Sequence, residues 1–404
     1  MISIADAKRI ILDSCKSCGH EVKLLADALN FHLAEELTTK FPIPRFDNSA
    51  VDGFAVQSRD TIAATTDEPV RLQIIGTVHT GAATTFSLKS GQAARIFTGA
   101  PIPEGADSVV MLEDTKCEND AVSLAEPLAR GRNVRLSGEE FKEGAVCIPN
   151  RTRMTPPAIA LASSLGVTHI RVFRKPSVAL IITGTELVQP GEELGSSQIY
   201  DSNLLGLTAA LADTGILVSR ALRCKDNLGE TQVALSEALN TADVVITSGG
   251  ASVGDVDYVK PALKGIGGEI DIESIAIKPG KPTIHARVGS KHVFGLPGNP
   301  VAALVVFALL VRPALQVMSG AVYSEPKLIS ARLGANVKKR TPRTEFVRAT
   351  LSNESGELIA KPCQGQQSHM LGGLLSADCL IVCDGEPGTI RGDDIVKVIL
   401  LPWT

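Results

Sequence analysis

Val178-Ala-Leu-Ile-Ile-Thr-Gly-Thr-Glu186 is the stretch of sequence that decides the fold. The run from Val178 to Thr183 is almost wholly apolar, as expected of a strand that is covered on both faces. A glycine and a carboxylate follow it at once. The stretch therefore predicts a central strand of a parallel sheet, with a polar loop at its carboxyl end.

Strand-like and helix-like segments alternate on both sides of this run, across residues 176–318. Such alternation predicts a doubly wound α/β domain. The expected strands are 216–222, 244–247, 270–277, 283–287 and 293–295. The expected helices are 203–214, which ends before Gly215, 228–239, and one that follows Pro300.

The flanking sequence predicts smaller units. Residues 1–44 and 139–175 are assigned to one split helical domain, with helices starting at Ser3 and over 22–37 and 156–165. Residues 45–138 predict an inserted β-rich domain with strands at 70–78, 93–97 and 108–112. Residues 319–404 predict a C-terminal β domain with strands at 331–333, 345–351, 379–383 and 394–400, in which Cys379 and Cys383 share one buried face.

Composition argues against several classes of function. The chain has 404 residues, 40 basic and 44 acidic side chains and 4% aromatic residues, so neither a positive field nor stacking rings predict a nucleic-acid partner. The longest apolar run, 301–311, is shorter than the ~20 residues that span a bilayer, and we expect a core helix there. Eight scattered cysteines and the lack of a leader-like segment predict a cytoplasmic protein.

Carboxylates follow three of the predicted strands. Because ligands bind beyond the carboxyl ends of strands in open α/β sheets, Glu186, Asp226, Asp255 and Asp257 are expected at one edge. Such a group favours a hard divalent cation, Mg²⁺, beside phosphate oxygens. The alternative is ordinary loop carboxylates and helix caps, and Asp257 could cap a helix that starts at Tyr258.

Two glycine-containing loops and two basic segments could bind an anion. The loops 248–254 and 295–300 allow close approach of backbone N–H groups to a phosphate, and Pro300 suits the first turn of a helix. Lys278 and Lys281 lie in a proline-stiffened turn. Preordered cations of this kind could bind an anion, and an ordinary solvated turn is an equally good interpretation. The basic cluster of Lys338, Lys339, Arg340, Arg343 and Arg348 is typical of a solvated strand edge, but it could instead close a cleft over an anionic group.

Six segments together resemble the molybdopterin molybdenumtransferases, the MoeA-type molybdenum insertases related to the gephyrin E domain. They occur in the family's order and span most of the chain: DNSAVDGFAV (47–56), RIFTGAPIPEGADSVVMLEDT (95–115), TGTELVQPGEELGSSQIYDSN (183–203), TSGGASVGDVDYVK (247–260), IKPGKPT (277–283) and FGLPGNPVAA (294–303). The resemblance implies the four domains above, the α/β one binding molybdopterin, and an elongated homodimer. Each cleft would combine the α/β and C-terminal domains of one subunit with the β domain of the other.

The resemblance also implies the reaction and the residues. Molybdenum would pass from molybdate to adenylylated molybdopterin, with Mg²⁺-dependent release of AMP. Asp52 and Thr98 would reach across the dimer, Glu186, Asp226 and Asp257 would organise metal and phosphate, and Lys278 and Lys281 would bind molybdate or substrate phosphate. The implied substrate-binding residues are Ser248, Gly249, Gly250, Ser252, Gly254, Pro297, Gly298, Asn299, Pro300, Arg343 and Ser368.

Two other functions remain open at this point. A molybdopterin adenylyltransferase shares the α/β module but needs no further domain, so the flanking ~260 residues favour the insertase. A non-catalytic gephyrin-like scaffold would anchor other proteins, but no extra linker or partner domain is visible. Molybdopterin adenylyltransferase and molybdoenzyme apoproteins are candidate partners of the insertase.

Overall fold

The computed structural model describes residues 1–249 and 258–404. The chain divides into two compact units. The first comprises Met1–Glu35, Arg151–Ile159 and Thr168–Thr404, and the second comprises Glu36–Asn150 and Ala160–Val167.

A six-stranded sheet forms the centre of the first unit and confirms the doubly wound α/β fold. Its strands lie in the order Val218–Cys224, Val178–Thr183, Val244–Ser248, Lys291–Leu296, Ile284–Val288 and Glu269–Ile272. The first four are parallel and the last two are antiparallel additions at one edge. The helices of this domain are Asn203–Asp213, Leu228–Thr241, Val259–Gly265 and the helix that starts at Pro300.

The strand Val178–Thr183 is buried at every position, as its sequence predicts. Val178 and Leu180 belong to the apolar cluster on one face of the sheet, whereas Ala179 and Ile181 belong to the cluster on the other. Successive side chains of a strand point to opposite faces, so a strand between two helical layers must be apolar at consecutive positions. The prediction of one strand over 270–277 is wrong. Glu269–Ile272 belongs to the central sheet, whereas Ile277–Lys278 pairs with a strand of a different sheet.

The helix that the sequence predicts after Pro300 runs to Met318 and continues through Pro313. A π-helical segment, Phe307–Val311, precedes Pro313 and joins Pro300–Val306 to Arg312–Met318. The wider turn accommodates a residue that cannot donate the usual helical hydrogen bond. By length and composition this helix could cross a membrane, but 72% of its most apolar window is buried inside the protein. It is the core helix that the sequence predicts.

A closed β-barrel forms the C-terminal part of the first unit. Strand Thr344–Glu354 pairs with both Glu357–Pro362 and Cys379–Cys383, and Ile329–Leu333 and Ile395–Leu400 complete the ring. Closure leaves few unpaired strand edges. Cys379 and Cys383 are buried in its core, as predicted. The short strand Ile277–Lys278 pairs with Thr344 and Glu345, so the barrel holds a segment of the α/β domain. Further elements are Val337–Lys339, which pairs with Gly388–Ile390, and the helix Gly372–Leu375.

The amino-terminal segment contains one of its two predicted helices. Ile4–Ser14 begins as expected, with Ser3 Oγ accepting from the Asp6 amide at 3.0 Å. The helix predicted over 22–37 is wrong: His20–Leu24 is a strand paired antiparallel with His169–Phe173, followed by the 3₁₀ turn Leu25–Asp27. Long-range pairing overrides the helical spacing of the leucines, of which Leu24 and Leu29 are exposed.

The second unit is the β-rich part of the chain. Its six-stranded sheet has the order Ser108–Met111, Gly53–Val56, Gln92–Ile96, Val70–Val78, Ala121–Leu124 and Thr115–Glu118. The three strands predicted there are confirmed within one residue at each end. Smaller elements are the pairs Asn48–Ser49 with Val134–Arg135 and Leu37–Thr38 with Val146–Ile148, and the 3₁₀ turns Ser58–Thr61 and Leu112–Asp114. The helix Pro156–Ser164, whose first four residues are counted with the first unit, ends before Gly166, as predicted.

Two buried histidines lie side by side on the antiparallel edge of the α/β sheet. His285 Nε2 is 3.2 Å from His292 Nδ1, and both rings are almost fully buried. His285 Nδ1 lies 3.2 Å from Asp271, which Arg287 engages through two nitrogens. Burial lowers the pKa of both histidines, and the His292 and Arg287 charges lower that of His285 further. The pair is therefore buried in the neutral form.

This pair predicts acid sensitivity of the first unit. Below the ordinary histidine pKa of 6.5, both histidines are protonated in the unfolded chain but stay neutral in the folded protein. Unfolding is therefore favoured as pH falls. The expected loss approaches ~1 kcal/mol of unfolding free energy per pH unit for each histidine. Thermal unfolding from pH 7 to pH 5 measures it. His285→Asn should flatten the dependence, while exposed His169→Asn should not, and equal slopes in both variants would contradict the assignment.

Candidate functional site

A cavity of about 690 Å³ lies at the carboxyl ends of the parallel strands, where an open α/β sheet binds its ligands. We name it the acidic cavity, because Glu186, Asp201 and Asp226 all line it. Eight of the predicted residues meet there: Glu186, Asp226, Ser248, Gly249, Pro297, Gly298, Asn299 and Pro300.

Glu186 and Asp226 come from the loops after two adjacent strands. The Thr185 amide donates to Asp226 Oδ2 at 3.1 Å, which ties the two loops together. Asp226 is held just before the helix Leu228–Thr241, whose cap Asn227 accepts from the Glu230 amide at 2.8 Å. Two carboxylates that share a cavity suit Mg²⁺, which commonly takes one or two carboxylates together with substrate phosphates. Within residues 1–249 and 258–404 no group of three ligating side chains forms a closed metal site.

Asn203, at the start of the helix Asn203–Asp213, connects two loops in the floor of the acidic cavity. Its Nδ2 donates to Ser248 Oγ at 2.8 Å and to the Gly298 carbonyl at 2.7 Å. Ser248, 1% exposed, in turn donates to the Pro297 carbonyl at 3.3 Å. These bonds bring the loop after Val244–Ser248 against the loop that precedes Pro300. Ser248, the first residue of one glycine-containing loop of the sequence analysis, therefore contacts the other loop, 295–300.

Gly249 is the position at which this floor is tightest. Its φ is +95°, and a Cβ there would lie 2.3 Å from the Thr183 carbonyl oxygen. Both the left-handed backbone and the close approach require glycine. The structure thus gives a steric reason for one glycine of the predicted phosphate-binding loop.

Asp201 is a site residue that sequence reasoning missed. Its side chain is fully buried, with Oδ1 accepting from the amides of Asn203 and Leu204 and Oδ2 accepting from Arg223 at 3.1 Å. It starts the helix that presents Asn203. Because Asp201 uses both oxygens within the protein, Glu186 and Asp226 are the cavity carboxylates within residues 1–249 and 258–404 that suit a ligand.

A second cavity, of about 670 Å³, adjoins the first, and we name it the cationic cavity. Five basic side chains line it: Lys278, Lys281, Lys338, Arg340 and Arg343. Ser368 lines it as well, so the structure brings together six of the predicted residues here: Lys278, Lys281, Pro297, Asn299, Arg343 and Ser368. A concentration of cations in a concave site suits an oxyanion.

A buried carboxylate organises these cations. Glu345 Oε2 accepts from Lys278 Nζ at 3.1 Å, while Oε1 accepts from the amides of Arg340 and Thr341. Burial raises the pKa of Glu345, but these hydrogen bonds outweigh it and hold the pKa below the ordinary value. Glu345 is therefore an anion that fixes Lys278 in a cavity otherwise lined by positive charge. Arg343 adds a second tie by donating to the Ile277 carbonyl at 3.1 Å.

The interpretation of the basic cluster as a solvated strand edge is wrong for two of its members. Lys339 is 3% exposed and donates to the carbonyls of Thr341 and Arg343. Arg348 is 2% exposed, and burial lowers its pKa. The charge run gave no sign of this, because burial of Lys339 and Arg348 depends on backbone carbonyl oxygens that only the folded chain brings to them.

Arg348 holds the loop that carries Ser368. It donates to the carbonyls of Gly365, Gln367 and Met370 at 2.7–3.3 Å, and it forms no ion pair among the described residues. Ser368 Oγ accepts from Asn299 Nδ2 at 2.9 Å, which links this loop to the start of the core helix. Arg348 was named in the sequence analysis only as part of a charge run, so its role was missed.

Asp52 and Thr98 form a local pair in the second unit. Asp52 Oδ1 accepts from both the amide and the hydroxyl of Thr98, at 2.7 and 2.8 Å. These bonds lower the pKa of Asp52, so its carboxylate is negatively charged at neutral pH. The side chain is also exposed. The predicted residues Gly250, Ser252, Gly254, Asp255 and Asp257 lie outside the described residues.

Three models of known protein families match successive regions that together cover most of the chain. Residues 2–166 match the MoeA N-terminal region (domain I and II), residues 179–317 a probable molybdopterin binding domain, and residues 330–401 the MoeA C-terminal region (domain IV). The chain is 34% identical to the molybdopterin molybdenumtransferase of Bacillus subtilis strain 168, over 100% of this chain and 96% of that protein. It belongs to the MoeA family.

Other relatives agree with the family assignment. The molybdopterin molybdenumtransferase of Staphylococcus aureus strain COL is 33% identical over 99% of this chain and 95% of its own. A crystal structure of the molybdopterin biosynthesis MoeA protein from Pyrococcus horikoshii OT3 is similar with a TM-score of 0.85 at 29% identity, covering 99% of this chain and 100% of that one. A second MoeA structure from Pyrococcus has a TM-score of 0.81 at 32% identity and covers 99% of both chains. The MoeA resemblance and the fold class are thereby confirmed.

Proposed function

We propose that this chain transfers molybdenum from molybdate to adenylylated molybdopterin, with Mg²⁺-dependent release of AMP. Its membership of the MoeA family makes it a transferase of molybdenum cofactor biosynthesis. The observation that carries the finer proposal is the pair of adjoining cavities, one with two available carboxylates and a glycine floor, the other lined by five cations.

The acidic cavity supports the nucleotide half of the reaction. Glu186 and Asp226 would hold Mg²⁺ beside the substrate phosphates, and the bound ion would offset their negative charge. Ser248 and Gly249 form the surface that the phosphate chain would approach. Pro297 and Pro300 shape the opposite loop, at the start of a helix whose N-terminus favours anions.

The cationic cavity supports the molybdate half. Lys278 is fixed by Glu345, and Lys281 and Arg343 add positive charge around the same space. Molybdate is a dianion without a fixed hydrogen-bond pattern of its own, so several preorganised donors bind it better than one pairing residue. The substrate's own dithiolene sulfurs would bind the molybdenum, so the proposal requires no cysteine of the protein as a ligand.

A choice between substrates tests this proposal against the adenylyltransferase alternative. Purified protein is incubated with Mg²⁺ and molybdate together with either adenylylated molybdopterin, or ATP and free molybdopterin. We expect molybdate-stimulated AMP release and cofactor formation only with the first pair. Turnover only with the second pair would favour an adenylyltransferase, and turnover with neither would favour the scaffold.

We propose further that the active form is a cytoplasmic homodimer in which Asp52 and Thr98 serve the partner's cleft. The family resemblance supports the dimer, and eight free cysteines suit a reducing compartment. The exposed Asp52 carboxylate forms no ion pair within residues 1–249 and 258–404, which suits a role toward another molecule.

Mixing two inactive variants tests the shared cleft. An equal mixture of Asp52→Ala and Asp226→Asn subunits should recover roughly a quarter of the wild-type rate, because half of the dimers are mixed and each has one intact cleft of two. A mixture of Glu186→Gln with Asp226→Asn is the control, since every mixed cleft then carries a change. Equal rates in both mixtures, with dimers verified by size-exclusion chromatography, would refute the shared cleft.

A further inference from the structure

The two cavities meet at a small set of residues. Within the part of the chain that the structure describes, four residues line both of them: Pro282, Pro297, Asn299 and His369. Of these, His369 alone has a titratable side chain. It is also the only histidine that lines either cavity within residues 1–249 and 258–404. An imidazole, whose two ring nitrogens can serve as hydrogen-bond donor or acceptor, thus lies between the acidic and the cationic parts of the site.

The backbone on both sides of His369 is held in place. The preceding residue, Ser368, accepts at Oγ from Asn299 and at its carbonyl from the Val301 amide at 3.1 Å. The following residue, Met370, donates its amide to the Gln367 carbonyl at 3.1 Å and accepts from buried Arg348. The imidazole is exposed to the cavities, whereas its anchor points are fixed. A residue that transfers protons needs this combination of access and fixed position.

We propose that His369 transfers a proton during molybdenum insertion, from a dithiol sulfur of the pterin substrate to an oxygen that leaves molybdate. This inference rests on the proposed function and adds a catalytic residue to it. Lys278 is paired with Glu345, and Glu186 and Asp226 belong to the metal and phosphate side. His369 is the group placed between the two reactants.

The step balances without an oxidant or a reductant. Two S–H bonds and one Mo–O bond break, two Mo–S bonds and two O–H bonds form, and one oxygen leaves as water. The remaining centre keeps three oxygens, the dianionic charge and molybdenum in the +6 state. His369 accepts one of the two protons at a neutral ring nitrogen and releases it to the departing oxygen, so the side chain ends in its starting form.

A histidine variant with chemical rescue tests this role. We expect His369→Gln to lower kcat of molybdenum transfer about 10²-fold, with KM for adenylylated molybdopterin changed less than about 3-fold. In His369→Gly, added imidazole should restore part of the rate, and the restored rate should increase with the fraction of neutral imidazole. His169→Gln, at an exposed histidine distant in sequence, is the matched control and should keep the wild-type rate.

The possible outcomes separate this inference from the proposed function. Wild-type transfer together with an unchanged kcat in His369→Gln overturns the inference alone. A lowered kcat that imidazole does not restore in His369→Gly indicates a structural role and also overturns it. Wild-type protein that transfers no molybdenum overturns both.

Discussion

Replacing Lys278 with methionine is expected to lower the rate of molybdenum transfer by about 10²–10³-fold. Lys278 lies in the short strand Ile277–Lys278, which pairs with the barrel strand Thr344–Glu354. Its Nζ donates to Glu345 Oε2 at 3.1 Å. The positive charge is therefore already placed when an oxyanion arrives. Methionine keeps the length of the side chain but removes the charge and leaves Glu345 with its three hydrogen bonds from Arg340 and Thr341.

Single-turnover formation of molybdenum cofactor, at saturating adenylylated molybdopterin and varied molybdate, measures the Lys278→Met effect. Lys327→Met removes an exposed lysine of the same chain and is the control for the loss of one positive charge. We expect that control to retain the wild-type rate. A Lys278→Met rate within about 3-fold of wild type would remove Lys278 from the transition state, because a required electrostatic donor costs far more than that.

Replacing Arg348 with methionine is expected to release the loop that carries Ser368 and to lower activity about 10²-fold. Three backbone carbonyls lose their charged donor, and a hydrogen bond to a charged group contributes about 1.5–3 kcal/mol. The loop would then be free to move, although no catalytic side chain has been changed.

Hydrogen exchange of the amides between 363 and 371 measures the release directly, and it separates a local effect from general unfolding. Protection should fall in this loop and persist in the α/β sheet. Arg332→Met is the matched control on the same barrel, because its ion pairs with Glu357 and Asp393 are exposed and worth at most about 1 kcal/mol. Unchanged protection in Arg348→Met would contradict the assigned role.

The α/β domain was readily predicted because its signals are local. A run such as Val178–Thr183 must be a strand covered on both faces, and Pro300 after a glycine loop must begin a helix. Glu186 and Asp226 each follow a predicted strand, and the carboxyl ends of parallel strands meet at one edge of the sheet. Their proximity was therefore predictable without knowledge of side-chain contacts. Both residues line one cavity in the structure.

The failed predictions share a physical cause, since each depends on a partner distant in sequence. The leucines of 22–37 have helical spacing, but pairing with His169–Phe173 makes the first of these residues a strand. In the sequence Lys339 and Arg348 resemble solvent-exposed cations, but in the folded chain both are buried and donate to backbone carbonyl oxygens. Asp201 lies among ordinary turn residues, and only the approach of Arg223 distinguishes it.

The molybdenum and the AMP produced in one turnover provide the most direct test of the account. Protein, Mg²⁺, molybdate and limiting adenylylated molybdopterin are mixed, and both products are quantified for each molecule of substrate consumed. The account predicts one molybdenum bound to the pterin for each AMP released, and a rate of AMP release that rises with molybdate. AMP release that is independent of molybdate, with no molybdenum on the pterin, would contradict it.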